Sequence, residues 1–171
     1  MAGKVIGKSM NYGYAGNYAR TPDDIVADRK LAVDSAAIPF GNAVALKADN
    51  TYTAVDENFT ATAFAGIALR TVKQATSYQN QNIVEYQPGE MMSALERGAA
   101  TVVCNVGTPT AGGPVFIRIK ANAAVPNGVV GGFEAQADAG NTVQLPNAKW
   151  TNGYVDANKV AEVTLLTRVN P

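Results

Sequence analysis

Histidine does not occur anywhere in these 171 residues. Its absence removes the commonest general base, the Ser-His and Cys-His nucleophile pairs, and the commonest metal ligand. Cysteine is nearly missing too. Cys104 stands alone, which excludes an internal disulfide and fits folding in a reducing compartment. Its place in an alternating run marks it as a buried small hydrophobe rather than a nucleophile. Charge is scarce, at 16% of residues, against about 25% in ordinary globular domains. Lys and Arg number 14, Asp and Glu number 14, and the formal net charge is zero. That balance gives neither a phosphate backbone nor an anionic membrane surface an electrostatic reason to bind. So little charge suits a surface largely covered by neighbours. Long apolar runs are also absent. None approaches the ~20 residues that span a bilayer, and Met1 to Lys8 lacks the apolar stretch of a signal peptide. The expectation is a chain made in the cytosol that stays soluble.

The remaining routes to catalysis are thin. Acids such as Asp49, Asp56, Glu90 and Glu134 read as scattered singly through turns. Gly107 to Gly113 is glycine-bearing but has no following Lys-Ser/Thr and no helix on which a phosphate would sit. Asp23-Asp24 is an adjacent carboxylate pair with no further ligand nearby in sequence, so a solvated helix start outweighs a metal site. A Ser-Lys site or a carboxylate pair assembled by folding stays open in principle. No enzyme, no cofactor and no metal are expected.

What the chain does have is short apolar runs and turn residues. Hydrophobic residues make up 47%, but Ala, Val and Gly supply much of this, which suits a thin core. Runs at Asn42 to Leu46, Thr51 to Val55, Phe64 to Leu69, Ala99 to Val106, Val115 to Lys120, Val143 to Pro146 and Val160 to Leu166 read as strands. In Val115 to Lys120, the alternation predicts Val115, Ile117 and Ile119 on a core and Arg118 and Lys120 in water. Gln87-Pro88-Gly89-Glu90 has type II turn chemistry, and Glu96-Arg97-Gly98 reads as a second turn, so Gln81 to Lys120 is expected to be an antiparallel meander. Gly66, inside a buried strand, marks a bulge or a close backbone approach. Trp150 reads as a core residue rather than a ligand platform. The Ser/Gln/Asn-rich stretch from Thr76 to Asn82 reads either as a contact loop or as a crossing between sheets. Helix is invited only from Thr21 to Lys30, where Thr21 would cap, Pro22 would open the first turn and both acids would meet the dipole. The predicted fold is mainly β: a small antiparallel β-barrel or sandwich with an extended N-terminal arm and little helix.

The arm is residues 1–37 and the body residues 38–171. Tyr12, Tyr14 and Tyr18 lie among glycines and asparagines, and up to Arg20 the only charges are Lys4, Lys8 and Arg20. Tyr and Arg favour contact sites because they bury area while keeping a hydrogen-bonding tip. At ~3.3 Å per residue, twenty residues reach roughly 65 Å. The competing reading is an idle, floppy terminus.

The order of features resembles one family. Arg20-Thr21-Pro22-Asp23-Asp24-Ile25-Val26 precedes Ile38-Pro39-Phe40-Gly41-Asn42-Ala43-Val44 and Phe64-Ala65-Gly66-Ile67-Ala68. Tyr86-Gln87-Pro88-Gly89-Glu90, Leu95-Glu96-Arg97-Gly98, Gly113-Pro114-Val115-Phe116 and Leu145-Pro146-Asn147-Ala148 follow. From about Arg20 onward this is similar to the capsid decoration, or structural cement, proteins of tailed bacteriophages. The resemblance implies a virion protein on the outer surface of the head, bridging neighbouring major capsid protein subunits after the shell expands. It also implies copies clustered around a symmetry axis, with no nucleic acid and no membrane partner. Lys4, Lys8, Tyr12, Tyr14, Tyr18 and Arg20 are then the expected capsid-binding residues, the cations on capsid acids and the rings against the shell. The alternative is a carbohydrate- or receptor-binding β-module of a phage head or tail fibre, with Trp150, Tyr154 and Tyr52 stacking on sugars.

Overall fold

The computed structural model describes residues 11–71 and 84–167. Lys4, Lys8 and the loop from Thr76 to Asn82 lie outside the described residues. Eleven strands follow in chain order: β1 (Tyr18–Lys30), β2 (Ile38–Pro39), β3 (Ala43–Leu46), β4 (Tyr52–Ala54), β5 (Phe64–Ala68), β6 (Glu85–Tyr86), β7 (Met91–Val103), β8 (Pro114–Arg118), β9 (Phe133–Glu134), β10 (Thr142–Trp150) and β11 (Val160–Leu165). One 3-10 turn, Ala61–Ala63, precedes β5. The large sheet runs β4-β3-β5-β7-β11-β10-β8-β9, with β1 also on β7, and β2 pairs β6 apart from it. Single bridges curl the sheet back on itself. Leu31, just past β1, lies beside Tyr52 of β4, and Cys104, just past β7, lies beside Phe133 of β9. The result is a curled antiparallel sheet, a half-barrel, mainly β as the sequence predicts.

Strand β7 is the hub because three strands need it. It pairs β1 from Met91 to Ala100, β5 at Ala94 and Leu95, and β11 from Gly98 to Val103. It also serves two cores. Met92 and Ala94 face a cluster with Leu31, Ile38, Phe40, Tyr52 and Tyr86. Leu95, Ala100 and Val102 face the larger cluster of Phe64, Ile67, Ile117, Phe133, Leu145 and Trp150. Even-numbered residues thus point to one core before Glu96-Arg97-Gly98 and to the other core after it. A one-residue irregularity flips every following side chain, and Gly98, at φ 118°, sits at that flip. Each fully buried Leu, Ile or Phe contributes about 1.5–3 kcal/mol, so serving two cores ties both halves of the molecule to this strand.

Several expectations need correction. Glu96-Arg97-Gly98 is no turn, because β7 runs through it. Gln81 to Lys120 is no meander: β6 pairs β2, β7 pairs β1, β5 and β11, and β8 pairs β10 and β9. Thr21 to Lys30 is strand rather than helix, and most of its backbone is taken by β7, with Ile25 opposite Arg97 and Lys30 opposite Met91. Pairing with a hub strand outweighs a local capping signal, and β-branched Ile25 and Val26 suit a pleated surface. The expected arm therefore supplies a strand of the main sheet from Tyr18 onward.

Other local readings hold. Glu90 N–H donates to the Gln87 carbonyl at 3.1 Å, and Gly89 has φ 86°, as a Pro-Gly type II turn requires. At Gly66 a Cβ would meet the Leu95 carbonyl carbon at 2.8 Å, with the carbonyl oxygen nearer still. Only glycine lets β5 pass β7 there. Cys104 and Trp150 are buried in the larger core.

Arg118 reverses its prediction. Its side chain is 0% exposed, as is that of Glu134. Two guanidinium nitrogens meet the Glu134 carboxylate, Nη2 at 2.9 Å, while Nη1 donates to Asp138 at 2.9 Å and to the Lys120 carbonyl at 3.3 Å. Asp138 also accepts from Asn122 and Asn141. Period-two alternation assigns Arg118 to water; the loop after β8 covers it with Gly128 instead, while Glu134 of β9 and Asp138 beyond β9 supply two acids.

Candidate functional site

Thr101 makes four of the hydrogen bonds that fix the leading segment to the body. Thr101 of β7 accepts from Asn17 N–H at 3.2 Å and donates its hydroxyl to the Tyr14 carbonyl at 2.7 Å. Its backbone pairs with Asn17 at 2.9 Å and with Gly16 at 2.7 Å. Gly16 lies so close to the body that a Cβ would stand 2.9 Å from the Ala68 carbonyl oxygen and from Gly41 N. Glycine at that notch is what brings Tyr14 beside the end of β5.

Four of the six expected contact residues gather at this end of β7 and β11. Tyr12 N–H donates to Asp156 at 2.9 Å, and its hydroxyl accepts from Asn152 at 2.7 Å. Its ring tilts against Tyr154 at a centroid distance of 5.5 Å. Asp156 itself holds the turn before β11, accepting from Asn158 and Val160. Tyr18 stands opposite Ala100. Burial, then the nearby charges of Asp24 and Asp28, push its phenol above the ordinary value. Arg20 clasps Glu162, the β11 residue opposite Thr101. The hydrogen bond and then the charge of Glu162 raise the guanidinium's already high pKa. Tyr14 is 66% exposed and Tyr18 50%. The arrangement offers aromatic area with hydroxyl tips on a rigid base. Lys4 and Lys8 lie outside the described residues.

Sequence reasoning missed Arg70. Its guanidinium stands 4.5 Å from the Tyr14 ring centroid and 5.5 Å from that of Phe40. Its N–H donates to the Gly16 carbonyl at 2.8 Å, which locks the backbone beneath it. Phe40 is braced edge-on by Tyr86 at 5.1 Å. The available signal was a cation closing a buried apolar strand, next to a stretch, residues 71–84, with no acid in it.

The sugar-stacking trio is not assembled. Tyr52 and Trp150 are fully buried in different cores, and of the three only Tyr154 reaches the surface. This corrects the carbohydrate-binding alternative: two of its three rings have no face to offer. Among the described residues no three Cys, Asp or Glu side chains come together as a metal site would need. Burial pushes the Cys104 thiol up to about 11.

A family model described as structural cement protein (E217 gp24/Pam3 gp6) matches residues 3–166. The chain belongs to the structural cement protein family. A solved structure titled "The capsid of Myoviridae Phage XM1" holds a chain with the same fold: TM-score 0.67, 17% identity, 99% of the cement protein and 97% of that chain covered. No curated protein matches it. The cement protein is thus a structural protein of the phage virion with a capsid-stabilising role, and it associates with capsid proteins.

Proposed function

We propose that the cement protein binds the outer surface of the head and bridges neighbouring major capsid protein subunits, holding the expanded shell together without catalysing any reaction. The observation that carries this reading is the strip of Tyr12, Tyr14 and Tyr18, stitched to Thr101 and Asp156 yet left with the Tyr14 and Tyr18 rings exposed. Ordering these side chains before contact lowers the entropic cost of docking. Lys4 and Lys8 meet capsid acids, and copies cluster around a symmetry axis. A protein that binds the joined state of the shell more tightly than the parted state stabilises it by mass action. Each copy need contribute only a few kcal/mol, because many linked contacts must give way together.

The test is co-sedimentation of full-length protein, made in the host cytoplasm, with expanded empty heads and with unexpanded precursors. Saturable pelleting with expanded heads, weakened in a Tyr14→Ala/Tyr18→Ala variant that melts like the parent, supports the reading. Protein left in the supernatant with expanded heads overturns it.

A further inference from the structure

Five arginines lie among the described residues, and four of them hold a carboxylate. Arg20 holds Glu162, Arg29 holds Glu96, Arg97 holds Asp23, and Arg118 holds Glu134 and Asp138. Arg70 holds none. Among the described residues its guanidinium has no hydrogen-bond or ion-pair partner, only the rings of Tyr14 and Phe40. The sequence closes the other routes, since residues 1–10 and 72–83 contain no Asp or Glu. In a chain where Lys and Arg equal Asp and Glu in number, one part-buried arginine is stacked and left unanswered.

From this we infer that Arg70 is the carboxylate-binding residue of the docking face, and that the partner presents an Asp or Glu side chain on a protein surface to the edge of its guanidinium. This rests on the proposed docking function and adds to it the chemistry of the contact. A guanidinium laid over a ring keeps its five N–H donors in its own plane, off the ring face and free for a two-pronged grip on a carboxylate. Stacking on two rings fixes its orientation in advance and removes part of its water, so a carboxylate completes an interaction that is half built. The exposed ring of Tyr14 then lies beside the incoming acid and excludes water around it, the arrangement found at interface hot spots. Arg20, a natural candidate from sequence, is spent on Glu162. A phosphate would suit a guanidinium too. A protein acid is favoured because the net charge is zero and, among the described residues, no second cation joins Arg70 on the Tyr14 and Phe40 rings.

The experiment uses full-length protein and expanded empty heads, with bound protein measured against concentration. Arg70→Gln should weaken binding about tenfold or more, Arg70→Glu should abolish it, and Arg70→Lys should recover part of the loss. Melting of the free protein should fall by no more than a few degrees in all three, because Arg70 grips no acid of its own chain and only its ring stacking is lost. Exposed Lys30, at the end of β1 away from Tyr18, changed to Gln, serves as control and should bind as the parent does. Parent protein that fails to bind heads sinks the proposed function. Parent protein that binds while the Arg70 variants bind equally well sinks this inference alone. Duplex DNA competing with heads for the parent, and not for Arg70→Gln, also overturns it, by making phosphate the ligand.

Discussion

Replacing Arg118 with Met tests the buried charge network directly. Arg118 and Glu134 are both fully buried, and the guanidinium fills the space beside Gly128, where even a Cβ would strike it. Met keeps most of the apolar stem and removes the charge. Glu134 is then a buried carboxylate with its two-nitrogen partner gone. Breaking a buried pair from one side costs about 3–5 kcal/mol, whereas exchanging both partners for apolar groups is often neutral. At roughly 2–4 °C per kcal/mol for a chain of this size, the single variant should melt about 6–20 °C lower. The double variant Arg118→Met/Glu134→Leu should regain about 2 kcal/mol or more of that loss. Asp138 keeps Asn122 and Asn141 in both cases, so the coupling belongs to the Arg118–Glu134 pair. Thermal and urea denaturation of all four members of the cycle give the answer. A single variant within about 1 kcal/mol of the parent, or a double variant whose loss is the sum of the singles, would refute the argument.

Three further outcomes follow from the geometry. Gly66→Ala places a methyl against the Leu95 backbone and should cost about 1–3 kcal/mol or prevent folding, as read by urea denaturation. Hydrogen bonds from Asn122, Asn141 and Arg118 hold the Asp138 carboxyl at about 2, below its ordinary 3.8. Its contribution is therefore whole above pH 3.8 and lost as pH falls toward 2, so the stability gap between the parent and Asp138→Asn should narrow across that window in parallel melts. Cys104, pushed up to about 11, has about 0.1% thiolate at pH 8. A thiol reagent should label it slowly in the folded protein and at once in urea, and fast labelling of folded protein would contradict its burial.

The sequence spoke clearly where one local rule governed. The Pro88-Gly89 turn, the alternation of β11 and the close approach at Gly66 each depend on a residue's own conformational limits. It misled where distant chain supplied the partner. Thr21-Pro22-Asp23-Asp24 looks like a helix start until β7 offers a strand edge, and Arg118 looks solvated until Glu134 of β9 and Asp138 beyond it reach it. Glu96-Arg97-Gly98 looks like a turn, and is a face switch inside one strand, because two cores compete for β7. The proposed docking strip was half legible. Tyr12, Tyr14 and Tyr18 stand out by composition, but nothing local says that Thr101 and Asp156 pin them, that Arg20 is occupied, or that Arg70 completes the group.

The most direct measurement of the central claim is the temperature at which expanded heads break open, followed by entry of a nucleic-acid dye into DNA-filled particles stripped of cement protein. Adding the full-length protein back to saturation should raise that temperature, and the rise should follow occupancy. Heads that carry their full complement and still open at the temperature of the stripped particles would contradict the account.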